Sequence, residues 1–488
     1  MLAIVAVILY NKAVSPRYTE VCIFIRDLLK QYLRGKRRND IMHEGTHSPS
    51  QWASKFGFIL ATAGAAIGLG NLWKFPYLMG KNGGFSFLMV YLLFIVVLGL
   101  PVMITELSIG RMTQKNAADA YRSINKNTTF IGIFGILSAF IILSYYSVIG
   151  GWILKYIASY VTAFQAPADF GAYIAKPVEP VVWHLLFMVC TMVICYRGTK
   201  GIEKASKVMM PALFVLLVVI ILRSLTLPGA AEGLKFIFTP KDSHLTFAGA
   251  TAAMGQVFYS LSLGMGITVT YGSYLKKEED IPKSCLHVAG LDTLAAVMAG
   301  LAIFPAVFAL GMEPAQGPSL IFGTLPAVFG AMFGGSLFAI LFFVLMFFAA
   351  LTSAIALLEC VVAYTEGSWR WSRKKSVFLA GSMIALLGIP SSLSFGPMAD
   401  MKVLGYTFFD LMGVLTDNLL MPLSGLAMCI FVGWFWGPRH IIDHIESSGV
   451  PFRLQKAWLW CIRIVAPLMV VAVMIMGIIN VYQFVTGG

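Results

Sequence analysis

The sequence predicts an all-α polytopic membrane protein, a single transmembrane domain of about eleven helices. Three observations predict it. Of 488 residues, 58% are hydrophobic and only 12% are charged, whereas a soluble domain carries roughly a quarter charged residues. Apolar runs of membrane-spanning length, about 20 residues each, recur from Phe56 to the C-terminus. The cations behind a net charge of +13 sit in short connections between those runs. There the bilayer surface is the nearer partner, so nucleic-acid binding is disfavoured.

Residues 1–51 are expected to be a cytoplasmic N-terminal segment. "MLAIVAVILY" is too short to cross a bilayer, and "RDLLKQYLRGKRRND" is basic and amphipathic without a signal-peptide cleavage pattern. It reads as an interfacial helix or, preferably, as a start-site extension to residue 41, because the hydrophobic architecture begins only around Trp52. From there the chain, 52–488, gives spans near 56–78, 85–109, 131–163, 180–196, 208–227, 247–275, 287–311, 335–364, 376–393, 406–436 and 458–481. Connections on one side carry Arg111, Lys115, Arg122 and Lys126, then Arg197, Lys200, Lys204 and Lys207, then Lys276, Lys277 and Lys283, then Arg370, Arg373, Lys374 and Lys375. The positive-inside rule makes these loops cytoplasmic and an odd number of spans puts Gly488 outside, in what is expected to be a bacterial cytoplasmic membrane. Cys190, Cys195, Cys360, Cys429 and Cys461 lie in or beside apolar spans without metal-site spacing, and read as small packing residues.

Two spans carry residues that take a helix apart. The first is interrupted by Gly64, Gly68 and Gly70 and continues into Asn71, Lys74 and Pro76; the sixth is interrupted at Gly264 and Gly266. Glycines alone favour close helix packing. The cluster of Asn, Lys and Pro changes the balance, since unwound backbone at that depth is tolerated where it lines a polar cavity. Breaks at matching places fit an inverted repeat of five helices each, with a substrate site between them near the midplane.

The blocks "GAAIGLGNLWKFPY" (64–77) with Trp52 and Ala53 upstream, "KNGG" (81–84), "PVMITELSIGR" (101–111), "GQVFYSLSLGMG" (255–266), "LTSAIALLE" (351–359) and "FDLMGVLTDN" (409–418) resemble the neurotransmitter:sodium symporter family, especially its bacterial eleven-helix amino-acid transporters. The resemblance runs from about Trp52 to the end. It implies two sodium ions. One would lie at the carbonyls of Gly64, Ile67 and Ala349 with the hydroxyls of Thr352 and Ser353, hard oxygen donors suited to such an ion. The other would lie at the carbonyl of Ala66, the Asn71 side chain, Ser260, Asp292 and the substrate's own carboxylate, which couples ion and substrate binding. The resemblance further implies a substrate carboxylate at the amides of Leu69 and Gly70 and the Tyr146 hydroxyl, and an ammonium at the carbonyls of Ala66, Tyr259 and Ser260. The substrate's side chain would face Ile142, Tyr146, Tyr259, Ser262, Met265, Ser353 and Leu357. Met265 stands where some relatives have a bulkier aromatic, and a flexible thioether between two glycines can move aside for a large ring. A hydrophobic or aromatic L-amino acid is therefore expected.

Lys74 and Asp410 resemble the family's outer gate pair, although Arg is commoner at the first position. The usual inner pair is missing, with Pro49 and Gly367 at its positions. Trp52, Ser273 and Tyr274 are the remaining inner-gate candidates, with Lys55 and Glu366 as substitute charges. Glu106 resembles the acid that accepts hydrogen bonds from the broken sixth helix, and Glu359 matches an acid near the cytoplasmic pathway. Asp292 stands where Asn is frequent. The chloride-site positions Tyr91, Gln256 and Ser260 are kept, but Ala296 lacks the polar group of relatives, so the expectation is transport without chloride, with Asp292 supplying the charge.

An enzyme is disfavoured, because no zinc-protease helix, P-loop or Gly-x-Ser-x-Gly elbow occurs. A non-transporting amino-acid sensor and a proton-coupled amino-acid permease of similar fold stand as alternatives. The expected partners are an amino acid, sodium and the lipid bilayer, and a second copy of the chain is also a candidate.

Overall fold

The two longest helices among the described residues are also the most buried of the membrane-length ones, which fixes where the interior lies. In the computed structural model, residues 51–240, 245–309, 311 and 319–486 are described, all within the compact unit Pro49–Gly488. The readings offered for residues 1–41 lie outside them, as does Pro49. The first span is a bent pair, α1 (Lys55–Ala66) and α2 (Gly70–Lys81), broken by 48°. Then follow α3 (Phe85–Thr113), α4 (Ala117–Ile124), α5 (Lys126–Ala163), α6 (Phe170–Ile174), α7 (Glu179–Cys195), α8 (Gly198–Leu225) and α9 (Ala230–Phe238). The sixth span is again a pair, α10 (Phe247–Ser260) and α11 (Ile267–Ser273). The chain ends with α12 (Ile281–Ala309), α13 (Leu320–Gly330), α14 (Gly335–Trp369), α15 (Arg373–Leu393), α16 (Phe408–Trp436), α17 (Arg439–Glu446) and α18 (Gln455–Thr486).

Among the described residues, eight helices are long and apolar enough to cross a membrane, nine with the bent first pair. Helix occupies each of the eleven expected positions. The 17-residue α7 and the two halves of the sixth span fall short of the length criterion individually. Several helices extend past the apolar run that predicted them: α8 begins at Gly198 rather than near residue 208, because its first turns are polar and hydropathy registers only the apolar stretch. The apolar windows of α5 and α14 are 78% and 72% buried, against 33% for α8 and 22% for α18. An all-apolar helix buried all round is interior, and one with an exposed apolar face suits lipid. Thus α5 and α14 form the centre, and Leu468 and Ile478 of α18 face outward.

Wide helical turns recur at prolines. Of the six π-helical turns among the described residues, five start six residues before a proline: Gly70 before Pro76, Ile95 before Pro101, Leu320 before Pro326, Thr416 before Pro422 and Cys461 before Pro467. A proline ring clashes with the carbonyl four residues back and brings no N–H to it. Letting the preceding residue bond five back, as Phe75 does to Gly70 and Met421 to Thr416, makes room without ending the helix.

On the side of the basic loops, Arg111 is only 2% exposed. Its Nε donates to His444 Nε2 of α17 at 2.9 Å, and its terminal nitrogens donate to the carbonyls of His444 (2.9 Å), Lys277 (3.3 Å) and Glu279. His444 therefore has to remain neutral. Burial first, then the charges of Arg111 and Lys277, pushes its pKa down to about 4. A histidine ordinarily titrates near 6.5 (about 6.5 in peptides), so undocked α17 takes up the proton more readily than docked α17. Docking is at full strength above that ordinary value and weakens as pH falls through the interval down to about 4. Hydrogen exchange of α17, corrected for its intrinsic rate, is expected to quicken across that interval while α5 stays protected.

Candidate functional site

The break in the first span is made by side chains that intercept backbone amides. In a continuous helix Gly68 N–H would meet the Gly64 carbonyl and Leu69 N–H that of Ala65. Instead, Gly68 N–H donates to Asn71 Oδ1 at 3.2 Å and Leu69 N–H to the Tyr146 hydroxyl at 3.1 Å. Ile67, with ψ 98, turns the chain into extended backbone between the halves. The liberated carbonyls find hydroxyls: Ala65 O accepts from Ser262 Oγ at 3.0 Å and from Ser353 Oγ at 3.1 Å. Glycine at 68 is required by space, since an added Cβ would stand 2.4 Å from Ser353 Oγ.

The break in the sixth span runs through residues 261–266, where Ser262, Gly264 and Gly266 have φ of 54°, 70° and 70°. Such values are uncommon outside glycine, so Ser262 is held by its bond to Ala65 across the cavity. Glu106 of α3 anchors the far edge, accepting from Gly264 N–H at 3.1 Å and from the Thr268 hydroxyl. A Cβ at Gly264 would meet the Met421 carbonyl at 2.5 Å.

Between the breaks lies a fully buried carboxylate. Asp292 of α12 is 0% exposed. It accepts from Asn71 Nδ2 at 2.8 Å, Ser260 Oγ at 2.8 Å and Tyr91 OH at 3.4 Å. All three donors are neutral, and among the described residues no cationic side chain pairs with it. Gln256 reaches the adjacent Gly70 carbonyl at 2.9 Å. A second group of oxygens gathers where α14 crosses the first break. Thr352 Oγ1 lies 3.0 Å from the Ala349 carbonyl and Ser353 Oγ 3.4 Å from that of Gly64, and a Cβ at Gly64 would touch Thr352 Cβ at 3.2 Å. Hydroxyls and carbonyls without a carboxylate are a donor set fitted to a small monovalent cation.

A cavity opens between the halves, lined by Ala65, Ala66, Gly68, Gly70, Ile142, Tyr146, Tyr259, Ser262, Met265, Ile267, Ser353 and Leu357. Nine of these, all except Ala65, Gly68 and Ile267, are sequence-expected. Leu69 stands behind the wall, its amide on Tyr146, and Ser260 belongs to the Asp292 cluster. From the sequence Gly68 reads as a helix-breaking glycine and not as wall, and Ala65 is not singled out, because small residues in an apolar helix signal packing as readily as a wall.

The expected gate pairs form differently. Lys74 Nζ contacts Asp417 Oδ2 at 2.7 Å, not Asp410. Asp410 is exposed at the start of α16, where its carboxylate accepts from Thr407 Oγ1 at 2.7 Å and its amide caps on the same hydroxyl. On the other side, Lys55 and Glu366 do not meet: Lys55 pairs with Glu279 at 2.7 Å and Glu366 with Arg373 at 2.9 Å. Lys55 is near enough to the 276–280 loop to find an acid there, and Arg373 is the stronger partner for Glu366. Trp52 is buried against Tyr271 and Tyr274, with its backbone amide on Tyr274 O at 3.2 Å and its indole on Tyr271 O at 3.1 Å. Tyr274 OH donates to Glu359 at 2.8 Å, and Glu359 is paired with Arg373. Ser273 bonds within its own helix, to Thr270 O. Glu203 is a contributor that sequence reasoning missed: it receives Ala53 N–H at 2.9 Å and Ser54 Oγ at 2.7 Å, tying the start of the first span to α8.

With this geometry in hand, comparison with known proteins gives concordant findings. A family model described as the sodium:neurotransmitter symporter family matches residues 49–169 and 175–486. An uncharacterized sodium-dependent transporter of Bacillus subtilis, YhdH, is 40% identical, covering 89% of this chain and 99% of its own. The human sodium- and chloride-dependent GABA transporter 2 is 26% identical over 90% of this chain and 81% of its own. Among solved structures, MhsT in complex with L-phenylalanine superposes with a TM-score of 0.82 at 42% identity, covering 88% of this chain and 99% of that one.

Proposed function

Because the chain belongs to the sodium:neurotransmitter symporter family, and is thus a sodium-dependent membrane transporter and not an enzyme, we propose that it takes up a hydrophobic or aromatic L-amino acid by alternating access. The observation that carries the reading is Asp292, a carboxylate buried among neutral donors at the meeting of two broken helices. Burying an ionised carboxylate without a countercharge costs several kcal/mol (order of magnitude). A transported cation supplies that countercharge each time it binds.

In this reading one sodium is held by Ala66, Asn71, Ser260 and Asp292, and a second by Gly64, Ile67, Ala349, Thr352 and Ser353. The amino acid's carboxylate lies at the amides of Leu69 and Gly70 and at the Tyr146 hydroxyl, beside the first sodium. Ion and substrate then stabilise one another, and the gradient of one drives the other. The ammonium takes carbonyls of the two breaks, so no buried protein charge has to pair with it. The α1/α2 and α10/α11 pairs are equivalent members of two five-helix repeats, and the basic loops face the cytoplasm of a bacterial plasma membrane. The phenylalanine bound to MhsT supports an aromatic substrate, as does the thioether of Met265 in the cavity wall.

The test is reconstitution into liposomes with an imposed sodium gradient. Labelled phenylalanine, tryptophan, tyrosine or leucine is expected to accumulate in sodium and not in potassium. Uptake confined to glycine or polar amino acids would overturn the substrate class, and uptake indifferent to the cation would overturn the coupling. In the same vesicles Met265→Trp should raise the KM for tryptophan by about tenfold or more, the cost of removing room for a few heavy atoms, while affecting leucine less.

A further inference from the structure

We propose that Asp417 is the acid that closes this transporter's outer side, and that it does so by drawing the Lys74 ammonium down onto the face of Tyr259, the ring that walls the substrate cavity. The inference rests on the reading of that cavity as an amino-acid site.

Three contacts join the pair to the cavity. Lys74 Nζ is 2.7 Å from Asp417 Oδ2 and 4.2 Å from the centroid of the Tyr259 ring. Tyr259 lines the cavity and is packed so closely on the first break that a Cβ at Gly70 would stand 2.9 Å from it. Thr416, the neighbour of Asp417, meets the Tyr145 hydroxyl at 3.3 Å, next to the cavity residue Tyr146. The Lys74 ammonium thus links the ring that walls the cavity to the Asp417 carboxylate.

Asp410 is poorly placed for this work. It lies seven residues earlier on α16, about 10 Å further along the axis at 1.5 Å per residue, and its carboxylate is engaged with Thr407. Lys74 and Asp417 both lie in π-helical turns, Gly70–Lys74 and Thr416–Leu420, ahead of Pro76 and Pro422. Turns of that kind recur at functional positions. The side chains of the pair are 34% and 30% exposed, and an ion pair so accessible to water contributes little to the fold. Weak attachment suits a contact that must form and part in every cycle.

The experiment compares the two acids. Cross-linking of Lys74→Cys paired with Asp417→Cys, against Lys74→Cys paired with Asp410→Cys, by a bifunctional thiol reagent whose spacer replaces the length of the lysine side chain, is read by mass spectrometry in membranes. The first pair is expected to link and the second not, and the reverse result overturns the proposal whether or not any amino acid is transported. In proteoliposomes, Asp417→Asn is expected to speed dissociation of labelled phenylalanine and raise its KM about tenfold, equivalent to the loss of about 1.4 kcal/mol, with kcat less changed. Asp410→Asn should alter neither by more than about twofold, within the range of an exposed charge. Asp417→Glu keeps the charge and should recover most of the loss, which separates gating from misfolding. Equal effects of Asp410→Asn and Asp417→Asn would overturn the assignment. A wild-type protein that accumulates no hydrophobic amino acid would instead overturn the transport reading, leaving the cross-link to decide which acid faces Lys74.

Discussion

Asp292→Asn will weaken sodium-driven uptake from chloride-free medium and make it responsive to chloride. The exchange preserves shape, so the fold should survive, but it deletes the negative charge at a position with no solvent access. The surrounding donors are neutral: Asn71, Ser260 and Tyr91 supply hydrogen bonds and no cation. In the proposed function, the wild-type carboxylate itself balances the incoming sodium. In the variant, a diffusible anion has to take over that role, and Tyr91, Gln256 and Ser260 are at hand to receive one. The expected result is a sodium KM raised at least tenfold with gluconate as anion, equivalent to about 1.4 kcal/mol or more, and partial recovery in chloride. An unchanged sodium dependence in gluconate would refute the role given to this carboxylate. A wild type that itself requires chloride would do the same.

Arg373→Met should destabilise the protein by about 3–5 kcal/mol, the usual penalty for removing one partner of a buried ion pair. Glu359 is only 1% exposed at its side chain, and Arg373 grips both of its oxygens, one at 3.0 Å. The same guanidinium donates to Glu366 at 2.9 Å and to the Cys195 carbonyl at the end of α7 at 3.1 Å, so it joins α7, α14 and α15. Without it, among the described residues Glu359 keeps only the Tyr274 hydroxyl. In detergent the unfolding midpoint should fall by roughly 5 °C, and adding Glu359→Gln should restore much of the loss by removing the stranded charge. A double variant no more stable than the single one would show that the pair is not the source of the effect.

The positions of the helical breaks were legible because unwinding an apolar helix takes unusual residues. Glycines, Asn71 and Pro76 in one run, and Gly264 and Gly266 in the other, have no business in plain lipid-facing helices. The cavity wall followed from the family's motifs. The gate acid did not, and periodicity could not have found it. Residues 410 and 417 are seven apart, which at 100° per residue leaves them about 20° from the same face. Only depth separates them, and depth depends on where α16 starts and on the wide turn at Thr416–Leu420. The prolines did carry a signal for that turn: Pro422 and four others mark where a π turn precedes them. Lysine partners such as Glu279 for Lys55 were hidden for another reason, since a long flexible side chain can reach any of several nearby acids.

Arg111 has a consequence for how this sequence can drift. Three of its acceptors are main-chain oxygens, those of Lys277, Glu279 and His444, and a main-chain oxygen is present whatever residue bears it. The loop at 276–280 can therefore change its side chains without losing its grip on α3, whereas the guanidinium cannot be exchanged. Lysine in its place would offer a single point charge to acceptors spread across a planar fork, and would strand some of them. Tolerance and intolerance here are assigned by which side of the contact is backbone, and homologues should vary accordingly.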